Sequence, residues 1–192
     1  MNPKQIGNTY EREVAKAFSK WIYNGDDSTL AIWRNVNSGT LGTVRLKQGK
    51  ASQGLQGDFA PLTPEGEALL TTFHIDSKSY DKVNIMFINE SNQKSNAILK
   101  QWIKTCDEAK TAKKIACMVV KARNSNIPDF MLIPLTQTSH KEFREKVGML
   151  DFSFKGDFSA YNCSLVLLVD FFKNINFIDF IKTFQNREGT CG

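Results

Sequence analysis

Phe73-His74-Ile75-Asp76-Ser77-Lys78-Ser79-Tyr80 reads as a strand carrying an acid and a lysine two residues apart. In an extended chain residues i and i+2 point to the same face, so the Asp76 carboxylate and the Lys78 ammonium stand side by side. Such a pair can hold a divalent metal and steady the water beside it. About one or two Asp/Glu-x-Lys matches arise by chance in a chain of this composition, and a second is present at Glu108-Ala109-Lys110. That one lies in a stretch of helical periodicity, where residues two apart diverge by roughly 200° and cannot share a site. The case for Asp76 and Lys78 therefore rests on their surroundings.

Immediately upstream stand Gly57-Asp58-Phe59-Ala60-Pro61 and then Thr63-Pro64-Glu65-Gly66, with Pro and Gly where a type I turn wants them. With Leu69 to Tyr80 returning as a strand, these residues predict a hairpin. Asp58 begins one arm, and Asp76 and Lys78 lie toward the end of the other, which makes them neighbours in an antiparallel pair if the register cooperates. The alternative is an Asp58 that serves only as a turn residue beside its glycine.

Further upstream, Tyr10, Val14, Ala17, Phe18 and Trp21 repeat with the period of an amphipathic helix over Asn8 to Ile22, with Asn8 or Thr9 as the N-cap. On a helical wheel Glu11 falls about 55° from the centre of the apolar stripe and Glu13 about 105° away, so Glu11 points along the buried flank and Glu13 toward solvent. Both acids also suit the first turn of a helix through its dipole. Leu30 to Val36 reads as a strand ended by Asn37-Ser38-Gly39. A stretch rich in Gly, Gln and Lys then runs to Gly57; from Ser28 to Gly57 there is no acid, while Arg34, Arg45, Lys47 and Lys50 are present. A basic loop of this length suits a phosphate backbone, and solvated surface is the plainer reading of any single lysine in it.

Downstream, Ile98, Leu99, Trp102, Ile103, Cys106 and Ala109 form one face of a helix over Asn96 to Lys113, opposite Lys100, Lys104, Asp107 and Lys110. Ile115 to Val120 reads as a buried strand leading into Lys121 and Arg123, and Asp129 to Leu135 as its partner. Ser139-His140-Lys141-Glu142 has the pattern of a capping box opening a short helix. Ser164 to Phe172 reads as a strand, and Phe177, Phe180, Ile181 and Phe184 mark a last amphipathic helix. His74 and His140 are isolated, and His74 is read as structural and set apart from the Asp76/Lys78 pair.

The bulk numbers fit one domain with an appendage: 192 residues, 41% hydrophobic and 23% charged, with a net charge of +5 that suits a polyanionic partner. Cys106, Cys117, Cys163 and Cys191 show no metal-ligand spacing and fit reduced thiols of a cytoplasmic protein. The polar N-terminus has no apolar signal segment, and no apolar run is long enough to span a bilayer, so no membrane partner is expected.

A helical Glu, an Asp at a strand start, Asp-x-Lys on the next strand, a helix and a strand, in that order, resemble the PD-(D/E)xK (restriction-endonuclease-like) nuclease superfamily. Here these are Glu11, Asp58, Asp76-Ser77-Lys78, the Asn96 helix and the Ile115 strand. Gly57 stands where that pattern has Pro. Gly7-Asn8-Thr9-Tyr10-Glu11-Arg12-Glu13, with Arg34 and Asn37-Ser38-Gly39, is similar in particular to archaeal-type Holliday junction resolvases, in which the Glu directly before Arg is the catalytic one. The resemblance, over roughly residues 6 to 135, implies an α/β fold with a central mixed sheet flanked by helices, ordered as helix, three-strand meander, helix, strand; residues 1–136 are read as this core, and 137–192, which the resemblance does not cover, as an α/β extension packed on it. It implies a Mg²⁺-dependent endodeoxyribonuclease, with Mn²⁺ able to substitute, acting on branched or duplex DNA as a homodimer. Asp58, Asp76, the Ser77 carbonyl and Glu11 would hold the metal, and Lys78 would stabilise the transition state. Arg34, Ser38, Arg45, Lys47, Lys50, Lys100, Lys104 and Lys121 would contact DNA. Two other readings stand beside it: a nuclease of the same fold acting on ends or specific sites, and a nucleic-acid-binding module without cleavage.

Overall fold

The computed structural model describes residues 3–35, 57–83, 96–134, 144–154 and 156–185. The expected loop contacts Ser38, Arg45, Lys47 and Lys50, and the Ser139 helix, lie outside them.

Helix α1 spans Pro3–Ile22 and buries Tyr10, Val14, Phe18 and Trp21 on the stripe that the sequence marks. It starts a turn and a half before the expected cap, and the Thr9 hydroxyl bonds back to the Gln5 carbonyl at 2.9 Å, so Thr9 lies inside the helix. Near its other end Ser19 receives the Ala31 amide at 2.9 Å. That bond leads the chain into β1, Ile32–Arg34, which is shorter than the strand expected over Leu30 to Val36. β1 pairs antiparallel with β2, Phe59–Pro61.

The expected hairpin is absent. Pro64–Thr72 is a helix, α2, capped by Thr63, whose hydroxyl accepts the Gly66 amide at 3.3 Å. Pro at the first helical position and Pro at the second position of a type I turn share the same φ, so Thr-Pro-Glu-Gly suits either. Packing decides between them: Leu69 and Leu70 are buried in the core beneath α1. Gly66 permits this approach, because a Cβ there would lie 1.9 Å from the Ala31 carbonyl oxygen.

β3, Phe73–Tyr80, then opens the main sheet. Helix α3, Ala97–Ala112, capped by Asn96, returns the chain to β4, Ile115–Ala122, which runs parallel to β3. β5 is Phe130–Pro134. Residues beyond 136, expected to pack on the core as an extension, supply β6, Met149–Phe152, and β7, Cys163–Leu167, of the same sheet. The strand order is β3-β4-β5-β7-β6, antiparallel from β4 onward. The three-strand meander is thereby replaced by a two-stranded ribbon and a separate mixed sheet of five. Ser164 to Phe172 is likewise not one strand, since Leu168–Asn174 forms helix α4. The apolar run there fits both periods, and Leu168 and Phe171, three apart, are the residues that bury. Helix α5 is Phe177–Gln185.

Alternation along β4 sends Cys117 and Val119 toward α1, α2, α4 and α5, and Ala116, Met118 and Val120 toward α3. Helices thus cover both faces, which explains the near-continuous apolar run of β4. Among the described residues no helix is long and apolar enough to cross a membrane.

Candidate active site

β3 is an edge strand of the five-stranded sheet, and its free edge receives Asp58. The Asp58 amide points to the Ile75 carbonyl at 3.4 Å, and its own carbonyl accepts the Asn35 amide at 2.8 Å. Gly57 makes the entry with φ +90°. Proline, fixed near −65°, cannot take that conformation, so glycine at the place of the usual Pro has a geometric reason.

The Asp58 side chain turns inward: Oδ2 accepts from the Ser77 amide at 2.8 Å and from the Ser77 hydroxyl at 3.3 Å. Lys78 Nζ then lies among three oxygens, bonded to Asp76 Oδ1, 3.1 Å from the Ser77 carbonyl and 3.5 Å from Asp58 Oδ2. The second Asp76 oxygen is held from α3, by Gln101 Nε2 at 2.6 Å and Thr105 Oγ1 at 3.0 Å. Asp58 is thus brought to Asp76 and Lys78 through an edge contact rather than a hairpin register.

Burial sets the electrostatics. It pushes the Asp58 carboxyl up, to about 7, and the Asp76 charge adds to this; Lys78 and the Ser77 amide pull the other way. Burial acts upward on Asp76 as well, but Lys78 and the hydrogen bonds from Asp58, Lys78 and Thr105 outweigh it and hold Asp76 low. Burial alone would lower Lys78, yet Asp76 and Asp58 raise it above the ordinary lysine range. Lys78 is therefore a fixed cation here, not a base.

Glu11 faces inward, with 16% of its side chain exposed, and Glu13 outward at 50%, as the helical wheel requires. Glu11 is paired with Arg34, whose side chain is 16% exposed. Among the described residues no three Asp, Glu, His or Cys side chains gather as a metal-ligand set; the acids at the centre are the pair Asp58 and Asp76. Lys100 is exposed on α3, Lys104 pairs with Glu108 at 3.6 Å, and Lys121 pairs with Glu13 at 2.7 Å.

A model of the family described as "Phage putative PDDEXK endonuclease" matches residues 2–182. The chain belongs to this family. Comparison with curated proteins and with solved structures finds no match. Membership in a PDDEXK endonuclease family implies a phosphodiester hydrolase acting on DNA, and the five-stranded mixed sheet flanked by helices is consistent with the PD-(D/E)xK fold.

Within this PDDEXK chain, sequence reading missed Gln101 and Thr105. Their signal is a polar pair at i, i+4 on α3, with Thr105 fully buried between Trp102 and Cys106. His74 also needs correction. It precedes Asp76 by two residues, so alternation puts it on the same face, where it is buried with Nε2 3.4 Å from Glu108 Oε2. It lies behind Gly57, whose Cβ would meet the His74 ring at 3.7 Å, and so supports the turn into Asp58.

Proposed function

We propose that this protein is a metal-dependent DNA endonuclease whose centre is Asp58, Asp76, Ser77 and Lys78, and we assign Glu11 to the outer part of its shell. The observation that carries the reading is the set of Asp76 Oδ1, Asp58 Oδ2 and the Ser77 carbonyl around one positive charge, the Lys78 ammonium. Hard oxygens gathered about a cation, with the Asp76 carboxylate oriented from α3, are the donors that Mg²⁺ prefers, and Mn²⁺ can substitute. Bound there, the metal would supply Lewis-acid stabilisation of the phosphate's extra charge and activation of a water. Lys78, moved off the carboxylates, keeps its charge and faces the developing phosphorane oxygens. Asp58 would hold the metal as a carboxylate, any proton it carries passing to solvent. Glu11 completes or orients the shell once Arg34 turns to a DNA phosphate.

We further propose branched DNA as the substrate, cut by a homodimer, because paired nicks require two centres. Support comes from the Gly7 to Glu13 segment with Arg34, similar to junction resolvases. Four-way junction, linear duplex and single strand incubated with Mg²⁺ or Mn²⁺ test both levels. Wild type should nick the junction symmetrically near its branch point, and Asp76→Ala and Lys78→Ala should lose at least about 100-fold in rate. Intact substrates throughout, or variants as active as wild type, sink the centre. Cuts at one sequence of linear duplex sink the junction preference alone.

A further inference from the structure

Of the buried side-chain polar atoms among the described residues that lack a well-formed hydrogen bond, three belong to residues that line a single cleft: the Tyr10 hydroxyl, Ser79 Oγ and Arg123 Nε. The cleft, about 280 Å³, lies between one face of α1 and the carboxyl ends of β3 and β4. The Tyr10 hydroxyl has the Asp129 carboxylate nearby. Ser79 Oγ and the Arg123 Nε–H have nothing comparable, and a buried donor left without an acceptor is destabilising. Lys121, which pairs with Ser79 in the sheet register, stands at the rim over the Tyr10 ring.

The missing partner is an acceptor. Its charge follows from what the cations do now. Lys121 is held by Glu13, whose side chain is 50% exposed, and Arg123 by Asp81, 68% exposed. Such exposed pairs contribute little, and both carboxylates can return to water when a stronger anion arrives, while Ser79 Oγ and Arg123 Nε are left without a partner. The volume exceeds the ~30 Å³ share of one water several-fold. The place is also telling. Ser79 follows Lys78 and Tyr10 precedes Glu11 in the sequence, and alternation turns Ser79 to the face of β3 opposite Asp76 and Lys78, so the cleft and the candidate centre lie on the two sides of one edge strand. The cleft opens at the carboxyl ends of parallel strands, where open α/β sheets take their ligands.

We propose that this cleft is a phosphate subsite, in which Ser79 Oγ and Arg123 Nε, with Lys121 at the rim, receive a backbone phosphate of the nucleic-acid strand neighbouring the one at Asp58 and Asp76. The proposal rests on the nuclease reading, and its test is kept separate by measuring binding without metal. Fluorescently labelled four-way junction and linear duplex are titrated with the full chain in EDTA, over a range of salt. Arg123→Gln should weaken binding about 10-fold and reduce the slope of log K against log salt by about one. Ser79→Ala should weaken it a few-fold and leave the slope unchanged. Replacing strand phosphates one at a time by neutral methylphosphonate should reveal one position that costs the wild type affinity and costs Arg123→Gln nothing more. If Arg123→Gln melts early, Arg123→Lys keeps the charge and removes Nε–H, and it should lose sensitivity at that same position. Variants that bind and scan like wild type overturn the subsite and leave water as its occupant. Cleavage by the wild type in that case leaves the nuclease reading standing. Phosphate-specific binding by a wild type that never cuts keeps the subsite and removes the nuclease reading. A wild type that binds no DNA overturns both.

Discussion

Single side chains around Asp76 fix the orientation of its carboxylate. Gln101 and Thr105 hold its outer oxygen from one face of α3, which leaves the inner oxygen directed at Lys78. Loss of such a supporting hydrogen bond typically costs 10–100-fold in metal affinity or activity. Gln101→Ala should therefore cut DNA about 10–100-fold more slowly than wild type with its melting temperature nearly unchanged; a rate within twofold of wild type would remove Gln101 from the site. Asp58 carries a second, pH-dependent prediction. Its carboxyl is raised to about 7 in the folded protein against about 3.9 in an unfolded chain. Between these values the native state binds the extra proton, so the stability of the metal-free protein falls as pH rises through that window. Asp76, held low, acts in the opposite sense: its contribution is present above the unfolded value and lost as pH falls toward its folded one. Asp58→Asn should remove the decline and raise the melting temperature at pH 8, by about 2–4 °C for each kcal/mol relieved, while abolishing cleavage. Thermal melts in EDTA at pH 5 and pH 8 check it; an equal gain at both pH values would refute the assignment.

At the level of elements, the ribbon β1–β2 and helix α2 aim Asp58 at β3. Gly66 is the contact that lets α2 lie against the chain entering β1, since Ala31 accepts the Leu62 and Thr63 amides at 2.9 and 3.3 Å and leaves no room for a Cβ. Gly66→Ala must move backbone against backbone. It should destabilise by about 2–3 kcal/mol despite alanine's better helix propensity, and chemical denaturation should show it as a lower midpoint. A neutral or stabilising result would mean that α2 shifts freely. Helix α3 carries opposite duties on its two sides: Trp102, Cys106 and Ala109 pack on the sheet, Gln101 and Thr105 face Asp76, and Lys100 and Lys104 are exposed.

Across the whole molecule, an aromatic cluster fastens the last helix to the first. Trp21 packs on Phe171, Phe172, Phe177 and Phe180 at ring separations of 5.1 to 5.6 Å, and its Nε1–H donates to the Ile175 carbonyl at 2.7 Å. Phe180 also stacks on Phe73, at the start of β3, at 4.9 Å. The C-terminal helices therefore brace the strand that carries Asp76 and Lys78. Phe180→Ala should cost about 3–5 kcal/mol, seen as a melting temperature lowered by roughly 6–20 °C. A loss under 1 kcal/mol would show that α5 is dispensable to the core.

What the sequence determined by itself is what a few consecutive residues can encode. The stripe of α1 and the inward turn of Glu11, the apolar face of α3, the buried run of β4, and the shared face of Asp76 and Lys78 all follow from periods of 3.6 or two. Where one short stretch satisfies two periods, sequence could not choose. Thr63 to Thr72 and Leu168 to Phe172 became helices because tertiary burial of Leu69, Leu70, Leu168 and Phe171 favoured them. Only the tertiary structure decided that Asp58 reaches the edge of β3 through Gly57, that Glu11 takes Arg34, that Gln101 and Thr105 orient Asp76, and that Ser79 Oγ and Arg123 Nε are buried without a hydrogen bond beside one cleft. Each of these joins residues more than ten positions apart, and the contacts that set them belong to the packed sheet and helices rather than to any one stretch of chain.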